Sequence, residues 1–248
     1  FSFRKVGLTS FLLLTPIIGS YYIKDNITQE DSLKVLIVQP NIDPFIDKFS
    51  IGYKQQLTDF IDLVKTSIDI DTELLIGPET ALLEGIWENK IRSTYSVIEL
   101  QKLQEHFPEL NILVGASTYK IFETLEEKTA TARQIRNEDM FYDAYNSAIF
   151  ISDSGGIQVY HKQKLVPGAE KMPFPNILDP LAKLMVNLGG ISGSLGSENK
   201  LNYFNLNNNV IITPLICYES VYSDLKIGKT NLIAIITNDG WWKNTAGY

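Results

Sequence analysis

The stretch "VIITPLICYES", residues 210–220, runs β-branched and apolar straight into a cysteine, a tyrosine and a glutamate. Its apolar part reads as a fully buried strand of the kind found inside α/β sheets. Cys217 then stands where the strand stops and the chain must turn, and it is the only cysteine in 248 residues. A lone cysteine closes no internal disulfide, and no Cys/His cluster accompanies it to hold a metal. Two readings stay open at this point. Cys217 is either a small buried hydrophobe, as free cysteine commonly is, or a nucleophile presented at a strand end.

Outward from this stretch, strand and helix patterns alternate. "KVLIVQP" (34–40), "ELLIGPE" (73–79), "NILVGAST" (111–118), "NSAIFIS" (146–152), "GIQVYHK" (156–162) and "NLIAIITND" (231–239) read as strands. "NYFNL" (202–206) is a further one, separated from the opening stretch by the turn signal "NNN". Apolar residues recur at helical spacing over 54–69, and a second helix is expected over 93–110, running to Pro108. The alternation predicts an α/β fold with helices covering the sheet.

With 44% hydrophobic residues the chain is long enough to bury a sizeable core in one large domain. Its net charge of −7 argues against a nucleic-acid-binding surface. The two histidines, His106 and His161, sit in no recognisable motif. A base serving Cys217 is therefore expected to be a carboxylate or a lysine.

Residues 6–23 carry no charge and are flanked by Arg4 and Lys5 on one side, Lys24 and Asp25 on the other. That length is at the threshold for spanning a bilayer; a signal peptide is the competing reading. If the segment spans, the positive-inside rule puts Arg4 and Lys5 in the cytoplasm and everything after Asp25 outside it. We expect three parts: the last of an N-terminal transmembrane region (1–25), a linker (26–33), and an α/β domain (34–248). Because the chain starts at Phe1 and stops at Tyr248 in a polar loop, it reads as a piece of a longer protein. Residues 171–188, "KMPFPNILDPLAKLMVNL", hold three prolines amid apolar residues such as Phe174 and Leu181. They read either as an amphipathic surface helix or as an apolar arm near a membrane or a lipid substrate.

Strand ends are where α/β folds place chemistry. Glu79 closes one predicted strand, Lys162 another, Cys217 a third, and Asn238 and Asp239 a fourth. A thiol is mostly protonated at neutral pH. A glutamate can take its proton, and a lysine can hold the negative charge of a tetrahedral intermediate. This chemistry calls for neither metal nor cofactor.

"GPETAL" around Glu79, "YHKQKLVPGAE" around Lys162 and "PLICYES" around Cys217 resemble, in that order, the three motifs of the carbon–nitrogen hydrolase (nitrilase-like) superfamily. "LVPGAE", "ICYES" and "NDGWW", after an apolar span and "VLIVQPNID", are similar to its apolipoprotein N-acyltransferase family. The resemblance covers residues 34–248. It implies an α-β-β-α sandwich preceded by the end of a transmembrane helix bundle, in a bacterial inner membrane with the catalytic domain on the periplasmic side. It implies a catalytic set of Glu79 as base, Lys162 as oxyanion holder and Cys217 as nucleophile. Glu170 would orient the lysine or assist proton transfer, and Tyr218, Glu219 and Trp241 would line the pocket. The partners implied are a phospholipid acyl donor, an apolipoprotein acceptor and the membrane. A membrane-tethered amidase or nitrilase acting on a small amide is the alternative, since it would use the same residues. "GPE" and "VPGAE" depart from the family's usual tryptophan-proline and "VPFGE" forms, which bears on pocket shape rather than on the chemistry.

Overall fold

A computed structural model of the chain describes residues 3–25, 32–42, 51–171, 194–206, 209–238 and 240. The expected arm falls almost wholly outside the described residues, as do Asp239 and Trp241.

The chain divides into two units, Phe1–Leu33 and Lys34–Tyr248. In the first, helix α1 (Phe3–Asp25) is 21 residues long over its apolar span, long and apolar enough to cross a membrane. Its apolar side chains, among them Phe11, Leu13 and Ile18, are exposed. An apolar face all round belongs to a buried helix or to one in lipid. Pro16 interrupts the helical hydrogen bonding, and just before it Thr15 Oγ1 donates to the Phe11 carbonyl at 2.7 Å.

The second unit is built on a seven-stranded sheet. Strands β1 (Val35–Ile37), β2 (Leu74–Ile76) and β4 (Asn111–Phe122) run parallel, and β3 (Leu82–Trp87) joins β4 further along. β6 (Phe141–Ile151) pairs antiparallel with β4, and β5 (Arg133–Gln134) and β7 (Ile157–His161) pair antiparallel with β6. Helices α2 (Tyr53–Lys65) and α3 (Tyr95–Gln104) cover one face. Leu57, Phe60, Ile61 and Val64 fall on one stripe of α2 at helical spacing, and all are buried against sheet residues such as Leu75, Val114 and Ile149. Each fully buried side chain of this kind contributes about 1.5–3 kcal/mol of apolar burial. A second sheet holds β8 (Phe204–Asn205), β9 (Ile211–Ile216) and β10 (Leu232–Ile236), with β9 and β10 parallel. Phe204 stacks on Phe150 of β6 with ring centroids 4.9 Å apart, which joins the two sheets. Among the described residues the order of layers is helix, sheet, sheet. On β10, Ala234 and Ile236 turn inward while Ile233 and Ile235 stand exposed.

Several boundaries differ from the sequence reading. The second helix stops at Gln104, whose Nε2 bonds the Leu110, Ile151 and Ser152 carbonyls and fixes the chain as it turns back into β4. A 3₁₀ segment, Glu88–Ser93, precedes that helix. β6 begins five residues before its expected start, because its pairing with β4 continues out to Phe141. β3 was not expected at all.

Candidate active site

Three strand ends deliver the expected residues. Glu79 lies three residues past β2, Lys162 directly past β7 and Cys217 directly past β9. Glu79 is held close to the sheet by Gly115 of β4, whose N–H donates to the Pro78 carbonyl at 3.0 Å. A Cβ at position 115 would stand 2.6 Å from Glu79 Cα, so only glycine lets this loop lie so low.

Lys162 is fully buried, with Nζ 3.2 Å from Glu79 Oε1 and 2.9 Å from Glu170 Oε1. Burial works against its charge, but the two carboxylates outweigh burial and hold the ammonium above its usual range. A further residue, absent from the sequence reading, completes the group. Asn146, on β6, donates from Nδ2 to the same two oxygens, each at 2.7 Å. The strand ladder sets this up: the Lys162 N–H donates to the Asn146 carbonyl at 2.9 Å, so both side chains lie on one face. Glu170 is tied down by the Val166 N–H at 2.8 Å.

Cys217 has φ of +49°, a left-handed conformation that costs a non-glycine residue about 1–2 kcal/mol. Glu219 holds this turn. Its carboxylate accepts from the Ile216 N–H (2.8 Å), the Gln163 N–H (2.6 Å) and the Tyr160 hydroxyl (2.8 Å). One buried side chain thereby clips the cysteine turn to the turn that follows Lys162. Glu219, expected among the pocket-lining positions, is instead fully buried behind the turn. Tyr218 is about one-third exposed and packs edge-on against Tyr222 at 5.2 Å.

Burial pushes the Cys217 thiol up from its ordinary range, and the Glu79 charge adds to this. Thr237, just past β10, and the Lys162 charge pull the other way without prevailing. The resting sulfur is thus a thiol, beside the Glu79 carboxylate. Glu79, Lys162, Glu170 and Cys217 come together in one place, with a buried ammonium and two carboxylates beside a protonated thiol.

No family model matches the chain. Among solved structures it is similar to a CN-hydrolase superfamily protein from Xanthomonas campestris, with a TM-score of 0.51 and 12% identity over 84% of this chain and 65% of that one. The fold is therefore that of the carbon–nitrogen hydrolases. In sequence the chain is similar to the apolipoprotein N-acyltransferase of Chlorobaculum tepidum, 26% identical over 98% of this chain and 47% of that protein. That of Aquifex aeolicus is 25% identical over 98% of this chain and 49% of that protein. A shorter stretch, 42% of this chain, is 34% identical to that of Rhodopseudomonas palustris. The chain spans about half the length of the curated relatives it matches. The resemblance read from the motifs is the one these comparisons return.

Proposed function

We propose that this chain carries the catalytic domain of an N-acyltransferase that moves an acyl chain from a phospholipid to the N-terminal amine of a diacylglyceryl-modified lipoprotein. The observation that carries the chemistry is the buried Lys162 held between Glu79 and Glu170 beside the Cys217 thiol. In the first step Glu79 takes the thiol proton as the sulfur attacks the ester carbonyl. Lys162 holds the oxyanion of the tetrahedral intermediate. Collapse breaks the ester C–O bond, Glu79 returns the proton to the leaving glycerol oxygen, and a thioester remains on Cys217. In the second step the acceptor amine attacks that thioester. Glu79 takes the amine proton and hands it to the departing sulfur, leaving an amide. Because the resting sulfur is protonated, proton removal belongs to the attack itself rather than to a preformed thiolate.

Glu170, Asn146 and the Glu219 clip act through the others, fixing Lys162, Glu79 and the cysteine turn. The similarity to the acyltransferases and the membrane-length helix α1 support a lipid donor and a bacterial membrane location, and Arg4 and Lys5 ahead of the apolar span favour this domain on the outer side. The fold alone would equally serve an amidase that passes its acyl group to water. The test supplies labelled phospholipid with a diacylglyceryl lipopeptide and separates the products. N-acylated lipopeptide is expected; labelled free fatty acid with no amide product would favour the hydrolase and contradict this proposal.

A further inference from the structure

Cys217 and Thr237 leave neighbouring strands of the second sheet side by side. β9 and β10 are parallel, and the last pair in their register is Ile216 with Ile236. The next residues along are Cys217 and Thr237, on backbones that strand pairing holds about 5 Å apart. β10 also lies against the 3₁₀ turn, Cys217–Val221, that the cysteine opens. A second observation puts this strand end at the site: Asn238, which follows Thr237, lines the same small cleft as Glu79. Thr237 itself is half-buried, and its side chain favours the charged form of the sulfur.

The sulfur has need of such a partner. Charged groups face it from two elements of the first sheet, Glu79 beyond β2 and Lys162 beyond β7. The Glu79 charge opposes a negative sulfur. Lys162 already serves Glu79 and Glu170, and it must also hold the carbonyl oxyanion. Glu219, within the cysteine turn, is taken up by the Ile216 and Gln163 N–H groups and the Tyr160 hydroxyl. Yet negative charge builds on the sulfur twice: as the thiol proton leaves during attack, and as the thioester C–S bond breaks during transfer. A threonine hydroxyl suits both moments, since it rotates to donate when a charge appears beside it.

We propose, on the acyl-transfer reading above, that the Thr237 hydroxyl donates a hydrogen bond to the Cys217 sulfur as that charge develops, which makes Thr237 a further catalytic residue. No bond to Thr237 forms or breaks. In the first step the thiol proton goes to Glu79 as the S–C bond forms, and the ester C–O bond then breaks. In the second the S–C bond breaks with its electron pair on sulfur, and Glu79 supplies the proton.

The full chain is tested in detergent micelles as two pairs that differ in the hydroxyl: the unaltered protein against Thr237→Val, and Thr237→Ser against Thr237→Ala. Cys217 is the only cysteine, so alkylation by iodoacetamide, followed against pH, reports on this sulfur alone. Loss of the hydroxyl is expected to move the alkylation profile up by about one pH unit, because a donor to the thiolate favours the charged form. It should slow acyl-enzyme formation from labelled phospholipid about tenfold, the low end for a hydrogen bond to a charged group. Thr237→Ser should keep most of the rate. If Thr237→Val disturbs folding, the serine and alanine variants still carry the comparison. Equal profiles and rates in those two variants overturn the proposal, whether both are normal or both impaired, since the hydroxyl would then make no difference. The expected alkylation shift with no acyl-enzyme in any of the proteins, the unaltered one included, would uphold the contact with sulfur and overturn the acyl-transfer reading instead.

Discussion

His161 and Lys162 are neighbours in sequence, yet each lies between two carboxylates on opposite faces of the same sheet. His161 Nε2 is 2.6 Å from Glu88 Oε1, and its Nδ1 is 3.1 Å from Glu198 Oε1, close enough for an ion pair but not aligned as a hydrogen bond. Lys162 sits in the same way between Glu79 and Glu170. The difference lies in the charge balance. On the His161 side Lys120 joins Glu198 at 2.8 Å, so two cations meet two carboxylates, and the Tyr145 ring stacks over the imidazole at 3.9 Å. On the Lys162 side a single cation serves two carboxylates, the neutral Asn146 makes up the shortfall in donors, and the Cys217 thiol lies beside Glu79. A balanced cluster is a fastening. A cluster one cation short keeps a carboxylate free to take a proton.

The largest expected effect comes from removing the cation that the Lys162 side, proposed as catalytic, cannot spare. Lys162→Met leaves the buried Glu79 and the partly buried Glu170 uncompensated. It should cost about 3–5 kcal/mol of unfolding free energy and abolish acyl-enzyme formation. Chemical denaturation and a single-turnover assay check the two parts separately, and an active, fully stable variant would break the comparison. Asn146→Ala comes next. It removes two charge-assisted hydrogen bonds, each worth about 1.5–3 kcal/mol. Thioester formation should slow by one to two orders of magnitude, with kcat and kcat/KM for lipid falling together. A rise in lipid KM alone would mean that Asn146 binds substrate rather than fixing the carboxylates.

The smallest effect belongs to the balanced side. Burial alone would lower the His161 pKa, but the Glu198 and Glu88 carboxylates beside it outweigh burial and raise it. Stability from a raised histidine is fully present below its unfolded value of about 6.5 and is lost as pH climbs through the folded value. Glu198, pushed down to about 2 chiefly by His161, stays ionised throughout that range. The protein should therefore melt at a lower temperature at pH 9 than at pH 6. His161→Gln should remove this contribution and leave the rate of thioester formation unchanged. A matching loss of catalysis in His161→Gln would show that the two clusters work as one.

Glu79, Lys162 and Cys217 were legible in the sequence because each ends an apolar run, where a polar residue stands out. Glu170 came with its motif. Asn146 did not, for it lies inside a strand buried on both faces, and the strand was expected to start there rather than at Phe141. A carboxamide among "AYNSAIF" was the available signal, since a buried polar group in a central strand needs a partner. The Glu219 clip was hidden for a related reason: its partners are backbone N–H groups brought close only by folding. β3 escaped because "LLEGIW" mixes buried and exposed positions without clean alternation and contains a glycine. Local pattern reveals what stands at an element's end. What two elements share across the sheet becomes visible only when register is known.

The central claim is that Cys217 carries the acyl group. It is tested most directly by incubating the protein with phospholipid bearing a labelled acyl chain, quenching in acid and mapping the label by peptide mass spectrometry. The account predicts one acyl adduct, on the Cys217 peptide, released by neutral hydroxylamine and absent from Cys217→Ser. Label on another residue, or an adduct that persists in Cys217→Ser, would contradict it.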